Sequence, residues 1–224
     1  MKKKTIVLLS GGLDSSVILS IALKKEFETH CLSFKYEQKH KDEIFFAKKQ
    51  VQEQRAKSHK IVNLDFFGGS SLTDNLQIPK HKSVEDIPNS IPNTYVPARN
   101  LVFLSYAVGY AESIGCNNIF IGVNSIDYSG YPDCRPKFIK AFEKLSNLAT
   151  KRGIETNNFF IHTPLITKTK KQIIELGKKN KINFQNTLSC YSPKKKISCG
   201  ECDACLLRLK GFSDANIKDP IKYV

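Results

Sequence analysis

The sequence predicts an α/β protein: a mainly parallel five-stranded sheet with helices on both faces. Three observations carry this prediction. Apolar runs and amphipathic stretches alternate from residue 4 to residue 64 in a β-α-β-α-β rhythm, as crossover helices on a parallel sheet require. A second alternating set runs from residue 100 to residue 179. Two glycines, Gly11 and Gly12, stand between the first apolar run and the first helical pattern, where such sheets place ligand-binding turns.

The elements follow in order. Residues 4–9 set Ile6, Val7, Leu8 and Leu9 in succession, as in a strand buried on both faces. Residues 15–24 carry Val17, Ile18, Ile21 and Ala22 at helical spacing. A strand over 29–34, a charged amphipathic helix over 41–58 and a strand over 60–64 complete the first half. From 65 to 97 the rhythm stops, and Gly68-Gly69, serines and four prolines predict a long irregular, partly mobile segment. Residues 100–114 are the most apolar helix, closed by Gly115. A strand over 118–123, a helix over 135–151, a short strand over 159–162 and a helix over 170–179 follow. From residue 186 the chain is rich in turns and cysteines.

A length of 224 residues suits one core with a small appendage, divided here at 185/186. No apolar stretch is long enough to cross a bilayer. Asp14 interrupts the apolar run behind the basic N-terminus, so a secretory leader is not expected and the location is read as cytoplasmic. The net charge of +14 comes from lysines spread along the whole chain. It reads as a solvated surface that also attracts an anionic small substrate, with RNA as the second reading.

The turn Ser10-Gly-Gly-Leu-Asp-Ser-Ser16 has the makings of a phosphate site. Glycines let the backbone approach, and the first amides of a helix favour an anion. Ser10 and Ser15 add hydroxyl donors. Asp14 is unfavourable beside a phosphate unless it caps the helix or faces a metal ion. The lysine that nucleotide triphosphatases place in such a turn is missing, and so is the dinucleotide glycine pattern.

Seven cysteines are present, and Cys190, Cys199, Cys202 and Cys205 have the spacing C-x8-C-x2-C-x2-C. Four thiolates suit a closed tetrahedral zinc site. An iron–sulfur cluster and a redox dithiol are the competing readings. Cys31 and Cys116 read as core residues, while Cys134 lies in a polar loop.

Three further stretches are too polar for a core. Arg99-Asn100 precedes the apolar helix, with Asn100 as a possible N-cap and Arg99 facing the open end of the sheet. The loop 122–135 holds Asp127, Tyr131, Asp133 and Arg135 at a strand's carboxyl end, where acids bind magnesium or the N–H edge of a guanine-like base. Lys170 follows the stretch from His162 to Leu165, and could be an ordinary surface lysine.

The string "SGGLDS" resembles the pyrophosphate loop of PP-loop ATP pyrophosphatases, which implies ATP cleaved between the α- and β-phosphates with transfer of AMP. Together with "YVPARNLVFLSYA", "DYSGYPDCR", "HTPL", "TLSCY" and "CGECDACLLRLKGF", it resembles the 7-cyano-7-deazaguanine synthases of queuosine biosynthesis, over nearly the whole chain. The resemblance implies a Rossmann-like adenine-nucleotide-binding fold with a zinc-binding helical extension at the C-terminus. It implies that 7-carboxy-7-deazaguanine and ammonia become the nitrile through two ATP-consuming steps. It implies zinc on the four cysteines, Mg2+ with ATP, and a homodimer acting on small molecules, with no nucleic acid or membrane partner.

Ser10, Gly11, Gly12, Leu13, Asp14, Ser15 and Ser16 match the loop, with Gln38 and His40 beside the adenosine. Asn100, Asp127, Tyr131, Asp133 and Arg135 match the substrate side. Asp14, Ser15, Arg99 and Lys170 are the expected catalytic set. Two departures stand out: Ala98 where the family commonly has glycine, and Lys171-Gln172 where it has Ala-Glu. Chain length leaves no room for a glutamine-hydrolysing domain, so free ammonia is expected. The rivals are a tRNA-modifying PP-loop enzyme and a zinc-knuckle RNA binder.

Overall fold

The computed structural model describes residues 2–36, 38, 42–88, 90–126, 130–156 and 158–224. Five strands form one sheet: β1 (Lys4–Leu8), β2 (Glu28–Lys35), β3 (Ser58–Asn63), β4 (Asn118–Phe120) and β5 (Phe160–His162), in the order β3-β2-β1-β4-β5. Every pairing is parallel, with Ile6 of β1 opposite His30 on one side and Ile119 on the other. The chain winds outward from β1 to β3 and then restarts at β4 on the other flank. That reversal opens a crevice at the carboxyl ends of β1 and β4.

Seven helices cover the sheet among the described residues: α1 (Leu13–Lys24), α2 (Asp42–Gln54), α3 (Arg99–Ser113), α4 (Pro136–Ala149), α5 (Lys151–Thr156), α6 (Lys170–Lys179) and α7 (Asp203–Asp214). Successive strand residues face opposite ways, so β1 feeds two cores. Ile6 and Leu8 pack with Leu104 and Ala107 of α3 and Phe142 of α4. Val7 and Leu9 pack with Val17 and Ile18 of α1, Ala47 of α2, Ile173 of α6 and Phe212 of α7. The result is a Rossmann-like fold, as the β-α-β rhythm predicts.

The differences from the sequence pattern have local causes. Arg55 adopts a left-handed φ of 58°, which stops α2 at Gln54 and leaves room for β3 to begin at Ser58. Thr150 is extended (φ −120°, ψ 149°), so the expected single helix over 135–151 ends at Ala149 and α5 starts afresh. The cysteine-rich tail contains α7, which its periodicity did not reveal.

The 65–97 segment is irregular, as expected, apart from a short 3-10 turn over Val84–Asp86. Several of its backbone groups are hydrogen-bonded. The Ser71 amide donates to the Asn93 carbonyl at 2.8 Å, and the Gly69 amide to the Asp74 carboxylate at 2.7 Å. Farther along, the His81 amide donates to the Glu201 carbonyl at 3.0 Å, and Lys80 pairs with Glu201 at 2.6 Å. The segment thus forms a wall between the sheet edge and the cysteine region.

Candidate active site

The turn after β1 holds its own shape. The hydroxyls of Ser10 and Ser15 lie 3.0 Å apart, and the amides of Ser10 and Gly12 donate to Ser15 Oγ and Ser10 Oγ, each at 3.2 Å. Ser16 Oγ donates back to the Gly12 carbonyl at 2.8 Å. Gly11 has a φ of +87°, and a Cβ there would sit 2.5 Å from the Ala47 amide nitrogen and 2.6 Å from the Glu43 carbonyl. Only glycine lets α2 approach this closely. Gly12 is the N-cap of α1, so the first-turn amides of that helix are left for a ligand.

Asp14 has a partner the sequence could not pair with it. Lys170, the first residue of α6, places Nζ 2.8 Å from both carboxylate oxygens. The two side chains are only 10% and 16% exposed, so the charge pair is largely shielded from water. The Lys170 stem crosses Gly211 of α7, where a Cβ would lie 2.4 Å from Lys170 Cγ. The absence of a side chain on α7 therefore aims the lysine at the loop. Thr169 and Gln172 form a capping box behind it, which gives the departure Gln172 a structural role.

A cavity of about 210 Å³ opens over the loop at the carboxyl ends of β1, β2 and β4. Among the expected site residues, Ser10, Gly12, Leu13, Asp14, Ser15, Arg99, Asn100, Tyr131 and Lys170 line it. Arg99 donates to the Tyr36 hydroxyl at 3.4 Å. Burial opposes its charge, but the oxygens of Tyr36, Tyr131 and Asp133 favour it, and its pKa lies above the ordinary arginine value. Tyr131 is buried, with its hydroxyl 2.8 Å from Thr94 Oγ1. Burial raises the Cys134 thiol to about 12, with Asp133 adding to the effect, so the thiol stays protonated at neutral pH.

Several expected residues stand elsewhere. Gly11 and Ser16 support the loop from behind. Asn100 is not the N-cap of α3. That position belongs to Ala98, whose φ of 55° is left-handed, where glycine would be unstrained. The Asn100 amide instead donates to the Asp133 carboxylate at 2.9 Å, so Asp133 caps α3 from a distant loop. Asp133 is not among the cavity's lining residues. Arg135 is exposed at the N-cap of α4, away from the cavity. Gln38 accepts from the Tyr36 amide at 2.8 Å and lies outside the lining. His40 and Asp127 fall outside the described residues. His162 belongs to the sheet edge. Burial, and to a lesser degree Lys25, lower its pKa to about 4, and it pairs with Asn118 at 2.8 Å.

The four cysteines predicted to share a metal do meet. Their sulfurs all lie within 4.8 Å of one another, and Cys199 Sγ is 3.9 Å from Cys205 Sγ. A tetrahedron with Zn–S bonds of about 2.3 Å has edges of about 3.8 Å. Backbone amides of Ser192 and Cys199 donate to Cys190 Sγ at 3.3 and 3.2 Å. Cys190 and its neighbours push the Cys199 thiol down, while Cys190 and Cys199 push Cys202 and Cys205 up, as sulfurs this close compete for negative charge. The cluster thus suits a metal such as zinc. Arg208 of α7 ties this region to the core. It pairs with Asp219 at 2.7 Å and donates to Thr187 Oγ1 at 2.8 Å and to the Phe184 carbonyl at 3.2 Å. The adjoining Leu188 amide donates to the Gly11 carbonyl at 3.0 Å, which joins the cysteine region to the loop.

Residues 4–216 match the family model described as queuosine biosynthesis protein QueC. The chain belongs to this family. A relative named 7-cyano-7-deazaguanine synthase in Rickettsia akari is 50% identical over 99% of this chain and 100% of its own length. Another of that name in Citrifermentans bemidjiense is 49% identical over 100% of this chain and 99% of its own. Among solved structures, NMN synthetase from Francisella tularensis aligns with a TM-score of 0.54 at 17% identity, covering 97% of this chain and 79% of that one. That likeness speaks for the fold alone. No helix among the described residues is long and apolar enough to cross a membrane.

In this member of the QueC family, sequence reasoning missed several cavity residues. Ser33, Phe103, Asn124, Ser189 and Arg208 all line it. Ser33 lies inside a strand pattern, where its hydroxyl donates to the Leu9 carbonyl and meets His59 Nε2 at 2.7 Å. Asn124 donates to the Lys168 carbonyl at 2.6 Å and so holds the approach to α6. No periodicity marks such residues. Position gave a signal only for Asn124, which follows β4, and for Ser189, which borders Cys190; Ser33, Phe103 and Arg208 lie inside regular elements.

Proposed function

We propose that the chain converts 7-carboxy-7-deazaguanine and ammonia to 7-cyano-7-deazaguanine, at the expense of ATP, for queuosine biosynthesis. The single observation that carries this reading is the loop–Lys170 arrangement in a chain about half identical to synthases of that name. The loop offers backbone amides and the Ser10 and Ser15 hydroxyls to the pyrophosphate that leaves. Lys170 neutralises Asp14 and brings positive charge to the phosphates, supplying what the turn lacks. Arg99, charged and half-buried, faces the same space and is suited to the negative charge that builds as AMP is transferred to an oxygen.

The carboxylate is activated first, and ammonia replaces AMP to give the amide. The same residues then serve the amide oxygen, and loss of AMP leaves the nitrile. Mg2+ travels with ATP, and Asp14 is the carboxylate the loop itself offers to it. Zinc, when bound by Cys190, Cys199, Cys202 and Cys205, closes the 186–224 extension against the 1–185 catalytic domain and takes no part in the chemistry. The enzyme works in the cytoplasm as a homodimer. A tRNA thiolation is disfavoured because Cys134, which lines the cavity, is held protonated, and four other thiols are gathered in the knuckle.

Purified protein with ATP, Mg2+, ammonium and 7-carboxy-7-deazaguanine is expected to release pyrophosphate and AMP and to form the nitrile. AMP formation with tRNA but not with the deazaguanine acid would overturn the reading.

A further inference from the structure

A second cavity, of about 330 Å³, lies beside the first. Tyr131, Lys170 and Tyr191 line both, so the two spaces share one boundary. The second is lined by apolar side chains from distant parts of the chain, together with the polar Thr169, Lys171, Lys210 and Asp214. Val84, Ile87 and Pro92 stand on the segment that the sequence left without a role, and Leu207 stands opposite on α7. Gly130 closes the rim. A Cβ there would lie 2.6 Å from the Ser90 carbonyl oxygen and 2.9 Å from Pro92 Cδ. A space with apolar sides suits a flat ring system.

The floor carries one buried acid. Asp203, in the first turn of α7, is 7% exposed and lines this cavity. Its Oδ1 meets the hydrogen-bond geometry with no group among the described residues; beside it stands His81, whose Nε2 lies 3.3 Å from that same oxygen. A carboxylate shut away from water with so little donated to it is costly. A guanine-like ring presents two adjacent donors, the ring N–H and the exocyclic amine, and a carboxylate is the acceptor that matches both.

We infer that the second cavity holds the acceptor, a guanine-like bicyclic carboxylic acid, with its amine edge on Asp203 and its carboxylate directed to Lys170. This rests on the activity proposed above and adds to it a specificity-determining residue. The 65–97 segment then has a purpose. It supplies the apolar wall, and through His81 it steadies the acid that reads the ring.

The test is calorimetric binding of 7-carboxy-7-deazaguanine and of its analogue lacking the exocyclic amine, with a non-hydrolysable ATP analogue present. The unaltered protein is expected to prefer the amine-bearing acid by about tenfold or more. Asp203→Asn should erase that preference while metal content and affinity for the ATP analogue stay unchanged. Because Asp203 adjoins a knuckle cysteine, Leu207→Trp provides a second variant. It fills the cavity and should weaken binding of the acid by at least about tenfold, with the ATP analogue bound as before. Wild-type preference in Asp203→Asn, or wild-type acid binding in Leu207→Trp, overturns the inference while turnover of the acid leaves the proposed activity standing. If the unaltered protein neither binds nor turns over the acid, both fall together.

Discussion

The pyrophosphate loop and the cysteine knuckle are both short, and both are built for a charged guest, yet they are held in opposite ways. The loop is contiguous and self-bonded. Its serines and glycines satisfy one another, so its shape exists before any ligand arrives. The knuckle draws four thiols within 4.8 Å, and little but the ion can hold them there as thiolates. An anion site made of backbone amides is preorganised, whereas a thiolate site is created by what it binds. The two are joined by the Leu188–Gly11 hydrogen bond at 3.0 Å, two residues from Cys190. Damage should therefore pass from knuckle to loop and not in the other direction.

The strongest way to break this comparison is Cys202→Ser. Loss of one ligand should cost more than about 4 kcal/mol of stability and most of the bound metal. Thermal unfolding and metal analysis check this, and full metal with an unchanged melting temperature would show that the knuckle is also preorganised. A smaller effect is expected from the loop side. Ser15→Ala should slow pyrophosphate release about 100-fold through loss of a donor. Its metal content and melting temperature should match the wild type, and a fall in either would mean that damage travels both ways. Smallest is Gly211→Ala, which probes the helix that begins at the knuckle and ends behind the loop's lysine. The added methyl should displace Lys170 and lower kcat/KM about tenfold, at a stability cost of about 1–3 kcal/mol from overpacking. Unchanged kcat/KM would show that Lys170 reaches Asp14 without help from α7.

The elements were legible wherever short-range periodicity decided them. Ile6 to Leu9 and Val17 to Ala22 declare a strand and a helix within a few residues, and the structure follows them. Legibility failed where a single backbone angle overrules the pattern, as at Arg55 and Thr150. The 65–97 segment reads as loose because its partners are distant. Glu201 and Asp203 lie over a hundred residues further along the chain, so no window of sequence shows them. Within the site, most loop residues and, on the acceptor side, Asn100 and Tyr131 line the cavity. Asp133, expected on the same side, accepts from the Asn100 amide at the start of α3, and Arg135 faces solvent; both placements depend on contacts no local string carries.

By itself the sequence determined the alternation of strands and helices up to α6, save the break between α4 and α5, together with the phosphate-binding turn and the four-cysteine spacing. Each of these depends on residues close together in the chain, through hydrogen bonds and ligand geometry that act over a few positions. Only the tertiary structure decided which charge meets Asp14. The lysine missing from the turn is supplied from 156 residues away, because α6 crosses α7 at a glycine and points Lys170 at the loop. The second cavity likewise exists only once the 84–92 stretch, α6 and α7 are packed together. Contacts of that range depend on how helices seat against one another, and no local pattern carries that information.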